Sequence, residues 1–199
     1  LTSTSLYPNE KQFRHGVFIE TRLRYLLKTK AITAKAIAPV PWFPFKANCF
    51  KQYAIYAGIP KYEQRNEIEI FHPRYLVIPK VGMLLTPYFM AISVLLQIKQ
   101  LQKTESFDLI DAHYYYPDGI AVAIAAKILK IPFIISARGS DINLISAYAL
   151  PKKMILWAAK YAKATVTVSE ALKDRMLEIG VDPEKTHVFR NGVDLELFK

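Results

Sequence analysis

The sequence predicts an α/β fold, a Rossmann-like parallel sheet with helices on both faces. Three observations support it: apolar strands alternate with helices through the second half, their connections are short, and polar clusters follow the strands. Such alternation requires crossover connections, and therefore a parallel sheet that is covered on both sides. With 52% hydrophobic residues, the 199-residue chain can also bury a sizeable core.

The first elements are short. Residues 1–5, LTSTS, predict the end of a strand, and residues 17–28 predict a helix. The apolar residues expected on one face of this helix are Val17, Leu23, Leu26 and Leu27. Residues 32–38 predict a strand. Three prolines then exclude regular structure over residues 39–45.

Residues 46–67 are basic and aromatic and predict an irregular segment, and residues 67–73 and 74–79 predict short strands. Residues 83–103 predict a long helix, and no charge occurs between Val81 and Ile98. A membrane-spanning helix needs about 20 mostly apolar residues. Since this stretch contains a proline and several polar residues, we expect a buried or membrane-touching helix rather than a span.

The second half is more regular. Its predicted strands are residues 107–113, 131–136, 164–169 and 186–190. Its predicted helices are residues 118–130, 151–163 and 169–180. Ser169 is expected to cap the start of the last helix, and Gly180 its end.

Polar clusters follow most of the predicted strands, and the letters ARGSDIN, residues 137–143, are the densest example. The carboxyl ends of parallel strands share one edge of a sheet, and ligands bind there. The sequence therefore predicts a binding crevice at this edge, with residues 137–143 near its middle.

Composition narrows the function classes. The formal net charge of +10 suits an anionic ligand, an anionic membrane surface or nucleic acid. Nucleic acid is the weakest of these interpretations because the basic residues are scattered and no nucleic-acid-binding motif appears. The sequence has no phosphate-binding loop, no glycine-rich dinucleotide motif and no metal-ligand spacing. A single cysteine, Cys49, fits a reducing cytoplasm and has no catalytic signature around it.

Several residues of the crevice have both a functional and a structural interpretation. Gly16, after His15, stands at a helix start that could attract phosphate, or it is a plain turn glycine. His113 follows a strand and could act in the site or be a structural histidine. Arg138 could meet an anion while Asp141 takes sugar hydroxyls, or the two could simply brace their loop.

Two aromatic segments also leave alternatives open. The three tyrosines 114–116 could stack on a sugar ring, but we expect at least two of them to pack against a neighbouring loop. Residues 42–65 place Trp42, Phe43, Phe45 and Phe50 among lysines. This composition suits a lipid headgroup boundary, and equally a lid loop with an aromatic cluster.

Taken together, the segments LYPNEKQFRHGVFIETRLRYL, APVPWFP, FDLIDAHYYYPDGIAVAIAAKILKIPFIISARGSDIN, ATVTVSEALKDRMLEIG and VFRNGVDLELF resemble the N-terminal domain of glycosyltransferase family 4. These are retaining enzymes of the GT-B fold, and bacterial enzymes of exopolysaccharide or cell-surface glycan synthesis look most similar. The resemblance implies transfer of a sugar from a nucleotide-sugar donor to a glycan or lipid-linked acceptor, without a metal cofactor. It also implies a cytoplasmic location, with contact to the inner membrane face.

The resemblance also implies roles for single residues. It assigns the reaction to Arg138, Asp141 and His113, and the donor side of the cleft to Gly16, His15, Gly139 and Asn191. Gly16 matches a glycine that approaches the donor diphosphate. Many family members have histidine at the position of Arg138, and arginine cannot shuttle protons at neutral pH.

Residues 1–190 are expected to form the acceptor-binding domain, and residues 191–199 the start of a linker to a donor domain. The chain therefore looks like a piece of a longer protein, inactive alone. Two alternatives remain open at this point. One is a non-catalytic module that binds a glycan or a partner, and the other is a sugar-nucleotide epimerase of the same fold.

Overall fold

The computed structural model describes residues 1–44, 47, 49, 51–78 and 82–192. Its strands are β1 (Thr2–Ser3), β2 (Ala36–Ile37), β3 (Val40–Pro41), β4 (Tyr62–Arg65), β5 (Ile68–Phe71), β6 (Arg74–Tyr75), β7 (Ile110–His113), β8 (Phe133–Ser136), β9 (Ala164–Thr167) and β10 (Thr186–Val188). Its α-helices are α1 (Val17–Lys28), α2 (Gln52–Gly58), α3 (Gly82–Leu101), α4 (Ile120–Leu129), α5 (Ser140–Asn143), α6 (Ala149–Tyr161) and α7 (Glu170–Glu178).

One eight-stranded sheet carries the fold, in the order β10-β9-β8-β7-β1-β2-β5-β4. Neighbouring strands are parallel except at the edge, where β4 runs antiparallel to β5. The order reverses at the centre, because the chain moves from β1 to β2 on one side and from β7 to β8 on the other. The predicted Rossmann-like sheet is confirmed, with the addition of this antiparallel edge.

Helices cover the two faces unequally. Helix α4 packs against both α3 and α6, and the apolar residues of the three helices join the larger core cluster with β7 and β8. Helix α1 packs on a separate cluster with β2 and β5. Since parallel crossovers are right-handed, the β1–α1–β2 and β7–α4–β8 units place their helices on opposite faces.

The second half matches its prediction closely. Each predicted strand and helix occurs, and Ser169 Oγ accepts a hydrogen bond from the backbone N–H of Leu172 at 3.2 Å, as an N-cap should. Gly180 has φ 106° just after α7, which agrees with its expected position at the helix end. A wider π-type turn over Tyr115–Gly119 replaces the predicted first turn of α4.

The first half departs from its prediction in residues 46–67, which were expected to be irregular. They contain α2 and the edge strand β4, whose mixed polar sequence gives no apolar alternation. The proline segment was also expected to lack regular structure, yet Val40 and Pro41 form β3 beside β6. Pro41 is tolerated because the backbone donors are Val40 and Trp42 on either side of it.

Helix α1 has the predicted bounds, but its buried face is rotated from the expected one. Ile19 and Leu23 are buried and Leu27 is half-buried, a spacing of four residues along one stripe. Val17 and Leu26, which were expected on the core face, are exposed. The apolar residues of α1 cover more than one side of the helix, so their positions alone do not show which side faces the core.

Helix α3 spans nearly the predicted range, and it is long and apolar enough to cross a membrane by length and composition alone. One side of it, which includes Met90, Val94 and Ile98, is buried in the core, so α3 is built into the domain. The predictions for residues 79–81, for Phe45 and Phe50, and for residues 193–199 fall outside the described part of the chain.

Candidate active site

The candidate active site lies where the carboxyl ends of β1 and β7 meet. The following loops diverge here because β1 leads to one side of the sheet and β7 to the other. Open α/β sheets bind ligands in the crevice that this divergence creates. Residues 4–16, 114–119 and 137–139 form the loops around it.

Gly16 closes the first loop and begins α1. Its φ of 70° is left-handed, and a Cβ atom built on it would lie 2.1 Å from the carbonyl oxygen of Leu6. Only glycine fits both conditions, so the backbone of this loop comes close to the start of α1. A 12-residue helix that begins at the crevice presents backbone N–H groups and a positive dipole end to an anion.

His113 ends β7 and is almost fully buried. Its Nδ1 lies 2.6 Å from Arg138 Nη2, and its Nε2 lies 3.4 Å from Asp111 Oδ2. Arg22 Nη1 also lies 3.3 Å from Nε2. A guanidinium only donates hydrogen bonds, and the arginine contact at Nδ1 is the shorter of the two, so we assign Nδ1 as the acceptor and the proton of the neutral ring to Nε2, toward Asp111. Burial and the nearby arginines lower the pKa of His113, which keeps the ring neutral.

Asp111 anchors the other end of this chain of contacts. Its Oδ2 accepts a hydrogen bond from Arg22 Nη1 on α1 at 2.6 Å. Burial alone would raise the pKa of Asp111, but His113 and Arg22 outweigh it and lower the pKa to about 2. The carboxylate is therefore charged at neutral pH and fixes the orientation of both neighbours.

Arg138 brings a mostly buried positive charge to the crevice. Besides its contact with His113, its Nη1 donates to Asn191 Oδ1 at 3.2 Å, and its guanidinium lies 5.0 Å from the ring centre of Phe18. Its Nε is buried without a hydrogen-bond partner among the described residues. Burial is the main reason that its pKa falls to about 10, so it stays charged at neutral pH.

Asp141 is fully buried and organises the loop rather than facing the crevice. Its carboxylate accepts hydrogen bonds from the backbone N–H groups of Tyr115, Arg138 and Gly139 at 2.7, 3.1 and 2.8 Å. Burial raises its pKa, and these donors oppose that rise. The carboxylate therefore braces its own loop, which is the structural interpretation of the Arg138–Asp141 pair, and it does so through the backbone N–H of Arg138. A contact of Asp141 with sugar hydroxyls stays a prediction.

The remaining predicted residues lie on the same rim. His15 is half-buried beside Gly16, and burial lowers its pKa. Gly139 has φ 130°, a conformation that favours glycine, and no atom would touch a Cβ there. Asn191 is exposed and reaches the site through Arg138. The structure thus brings Arg138, His113 and Asn191 into contact.

Asp118 was given no role by the sequence, although it stands at a helix start. It is fully buried and accepts hydrogen bonds from the backbone N–H of Ser5 and from Ser5 Oγ, the latter at 3.0 Å. Burial raises its pKa to about 7. Because Ser5 follows β1 and Asp118 follows β7, this contact joins the two loops across the crevice floor.

At least two of the three tyrosines 114–116 pack inside the protein, as predicted. Tyr115 and Tyr116 are buried, with the hydroxyl of Tyr115 2.7 Å from Thr165 Oγ1 and that of Tyr116 bonded to the Met83 carbonyl. Tyr114 is half-buried, and its hydroxyl lies 2.8 Å from Ser140 Oγ. Only Tyr114 keeps part of its surface open on the rim.

Two cavities flank this region. One of about 430 Å³ lies against Arg138 and Gly139 and reaches Ser169 and Arg175 of the next loop and helix. A larger one of about 780 Å³ is lined by Leu1, Lys35 and Asp108, which precede β1, β2 and β7. The larger cavity lies toward the amino ends of the strands, although Arg22 and Asp111 also line it. The smaller cavity lies on the carboxyl-end rim and extends the crevice on the side of Arg138 and Gly139. Within the described ranges, no three histidine, cysteine or acidic residues form a possible metal site.

The comparisons by sequence point to one family. The sequence model of the family described as Glycosyltransferase Family 4 matches residues 51–197. TuaC of Bacillus subtilis (strain 168), a glycosyltransferase named for teichuronic acid biosynthesis, is 29% identical over 200 residues. That match covers 98% of this chain and 50% of TuaC, so the chain spans about half the length of this relative.

Solved structures show the same fold. HepE of Anabaena, in complex with UDP and glucose, matches with a TM-score of 0.58 at 17% identity, over 99% of this chain and 45% of HepE. A sucrose-phosphate synthase structure from Thermosynechococcus elongatus matches with a TM-score of 0.62 at 11% identity, over 100% of this chain and 92% of that one. A UDP-N-acetylglucosamine 2-epimerase from Rickettsia bellii matches with a TM-score of 0.55 at 15% identity, over 96% of this chain and 44% of the epimerase. At these identities the likeness shows the fold.

Proposed function

Because the chain belongs to glycosyltransferase family 4, we propose that it forms the acceptor-side half of an enzyme that transfers a sugar from a nucleotide-sugar donor. The acceptor is a glycan or a lipid-linked sugar, and the anomeric configuration is retained. A donor-side half is needed to complete the site, so the chain alone is inactive.

The observation that carries this proposal is the charged Arg138 beside the start of α1. Both groups favour negative charge, and both stand at the divergence point of the sheet, where a ligand is expected. Transfer from a nucleotide sugar releases a diphosphate, and stabilising its developing charge is a large part of catalysis. Nη1 and Nη2 of Arg138 each carry a second N–H beyond the contacts with Asn191 and His113, which leaves donors for this purpose.

His113 acts in this proposal as a positioning residue. Its Nδ1 accepts from Arg138 and its Nε2 faces Asp111, so neither nitrogen is free to take a proton from an acceptor hydroxyl. The row Asp111–His113–Arg138 instead holds the guanidinium in place. Gly16 lets the donor diphosphate approach the backbone of α1, while His15 and Asn191 border the same space.

The donor and acceptor classes rest on the relatives. The HepE structures contain UDP, UDP with glucose, and UDP-glucose, and we infer that a uridine-diphosphate sugar is the first donor class to test here. TuaC supports a cell-surface polysaccharide as the product class. For such an acceptor we propose a cytoplasmic location, at the inner face of an anionic membrane.

The test joins this chain to a donor-side half and measures sugar transfer from labelled UDP-sugars. We expect Arg138→Ala to lower kcat by about 100-fold or more, because a donor aimed at developing charge is lost. Arg138→Lys keeps the charge and should retain more activity. Arg24→Ala, on the exposed surface of α1, is the matched control and should stay within about twofold of the unchanged protein.

A kcat of Arg138→Ala within threefold of the unchanged protein would reject Arg138 as the stabilising group. If the joined protein converts the nucleotide sugar without any acceptor present, the transferase proposal itself fails, and the epimerase interpretation takes its place.

A further inference from the structure

The helices α3, α4 and α6 form a layer with an unusual charge pattern. These 43 residues contain five lysines and no aspartate or glutamate, although the chain has 17 acidic residues. The lysines are Lys99, Lys127, Lys152, Lys153 and Lys160. By contrast, α1 and α7 each carry charges of both signs. The outer side of the three-helix layer is therefore cationic, and none of the three helices carries an acidic residue to neutralise its lysines.

The exposed side of α3 is apolar. Leu85, Tyr88, Ile92 and Leu96 follow one another at three- and four-residue spacing, and their exposed fractions are 40, 51, 55 and 61%. The opposite side of the same helix is buried in the core. A surface helix ordinarily shows polar residues on its outer side, and a helix that is apolar all round belongs in a core or in contact with lipid.

A shallow groove runs between the three helices. It has a volume of about 290 Å³ and is lined by Tyr88 of α3, Ile120 and Ile124 of α4, and Lys153, Met154 and Trp157 of α6. The ammonium of Lys127 lies 5.3 Å from the ring centre of Trp157, which keeps a positive charge beside the groove. Tyrosine, tryptophan and lysine around an apolar floor are the residues that occupy a bilayer interface.

We propose that this α3–α4–α6 face is a membrane-contact surface that docks on an anionic bilayer. Helix α3 lies in the plane of the interface, its exposed stripe enters the lipid, and a lipid chain occupies the groove. The five lysines meet anionic headgroups, and each contributes to binding. A second copy of the chain is a poorer occupant, because it would bring five more lysines against these five with no carboxylate on either side.

Membrane contact would bring the enzyme to a lipid-linked acceptor, and in this respect the proposal rests on the proposed function. It is tested by flotation of the chain with vesicles of phosphatidylglycerol and phosphatidylcholine. We expect flotation that falls as phosphatidylglycerol is removed and as salt is added. Ile92→Glu should lower the bound fraction at least about tenfold. Ile32→Glu, at an isoleucine outside this face that is 44% exposed against 55% for Ile92, should not.

Lysine pairs give a second comparison. Replacing Lys152 and Lys153 by glutamate should lower binding at least about tenfold. The same change at Lys28 and Lys30, which are exposed at the end of α1, alters the net charge equally and should have a much smaller effect. Equal losses in the two double variants would show that overall charge, and not this face, governs binding, and would overturn the proposal.

The two tryptophans locate the contact directly. In a Trp42→Phe variant only Trp157 remains, and vesicles with bromine on the acyl chains should quench its fluorescence. In a Trp157→Phe variant the remaining Trp42 reports on the basic aromatic segment 42–65 instead. Quenching of Trp42 without quenching of Trp157 would overturn the proposal in favour of that segment.

Two further results would also overturn it. One is the absence of flotation at any lipid composition, and the other is a dimer in sedimentation equilibrium that Ile92→Glu dissociates. Flotation requires no sugar transfer, so its failure leaves the transferase proposal standing. A joined protein that floats but transfers no sugar rejects only the transferase proposal.

Discussion

Replacing Gly16 by alanine should destabilise the domain more than replacing Gly139, and the structure supplies the reason. At both positions φ is positive, so a side chain adds backbone strain. At Gly16 a Cβ atom would also lie 2.1 Å from the carbonyl oxygen of Leu6, whereas at Gly139 it would touch nothing. Comparing the two alanine variants therefore separates the cost of backbone strain from the cost of steric overlap.

The magnitudes follow from these two contributions. A left-handed conformation costs a non-glycine residue about 1–2 kcal/mol, and forcing an extra methyl group into a packed site costs about 1–3 kcal/mol. We expect Gly16→Ala to lower the free energy of unfolding by about 3 kcal/mol, since the clashing atom is backbone and cannot rotate away. For a domain of this size that corresponds to a fall in Tm of about 6–12 °C.

The assay is urea unfolding followed by circular dichroism, with thermal unfolding as a second measure. Gly139→Ala is the control. Gly139 has φ 130° and ψ −76°, which only glycine adopts readily, and its replacement should show backbone strain alone, about 1–3 kcal/mol. If Gly16→Ala is no less stable than Gly139→Ala, the loop after β1 relaxes around the new methyl group. The close approach of Leu6 would then not be a fixed property of the site.

Two other predictions concern protonation and metal dependence. Burial raises the pKa of Asp118 from 3.8 to about 7. Between these two pH values the folded protein keeps a proton on Asp118 that the unfolded chain has released. The protonated carboxyl therefore makes its full contribution to the free energy of unfolding below about pH 4, and this contribution is lost as the pH rises to 7. Asp118→Asn keeps an acceptor for Ser5 but cannot titrate. Urea unfolding at several pH values from 4 to 8 should show a smaller fall in the free energy of unfolding for this variant. An equal fall in both proteins would reject the raised pKa. Because Arg138 and the start of α1 are proposed to meet the diphosphate charge, sugar transfer by the joined protein should persist in EDTA, and a loss that Mg²⁺ or Mn²⁺ restores would reject this.

The fold was predictable where burial dominates the sequence. Strand β8 lies in the middle of the sheet, so its residues are mostly apolar and its bounds are close to the predicted ones. The edge strand β4 was missed because one side of it faces solvent, and Glu63 is buried there through a 2.8 Å contact with His72 rather than through apolar packing. Single-residue patterns cannot show a pairing with a residue nine positions away.

The site was predictable in its position and less so in its contacts. The rule that polar residues follow parallel strands located His113, Arg138 and Asp141 together. It could not distinguish a carboxylate that binds its own loop from one that binds a ligand, because both follow a strand in the same way. Asp111 could have been found, since residues two apart on a strand share a face and it precedes His113 by two.

The contact between Ser5 and Asp118 has a consequence for how such sites diversify. It ties the loop that borders one side of the crevice to the loop that borders the other, through a single carboxyl group at the base. Either loop can vary toward its tip, but neither can be exchanged near its base without the matching residue of the other. A specificity graft taken from a homologue would therefore have to transfer the two segments as one unit, although more than a hundred residues separate them in the chain.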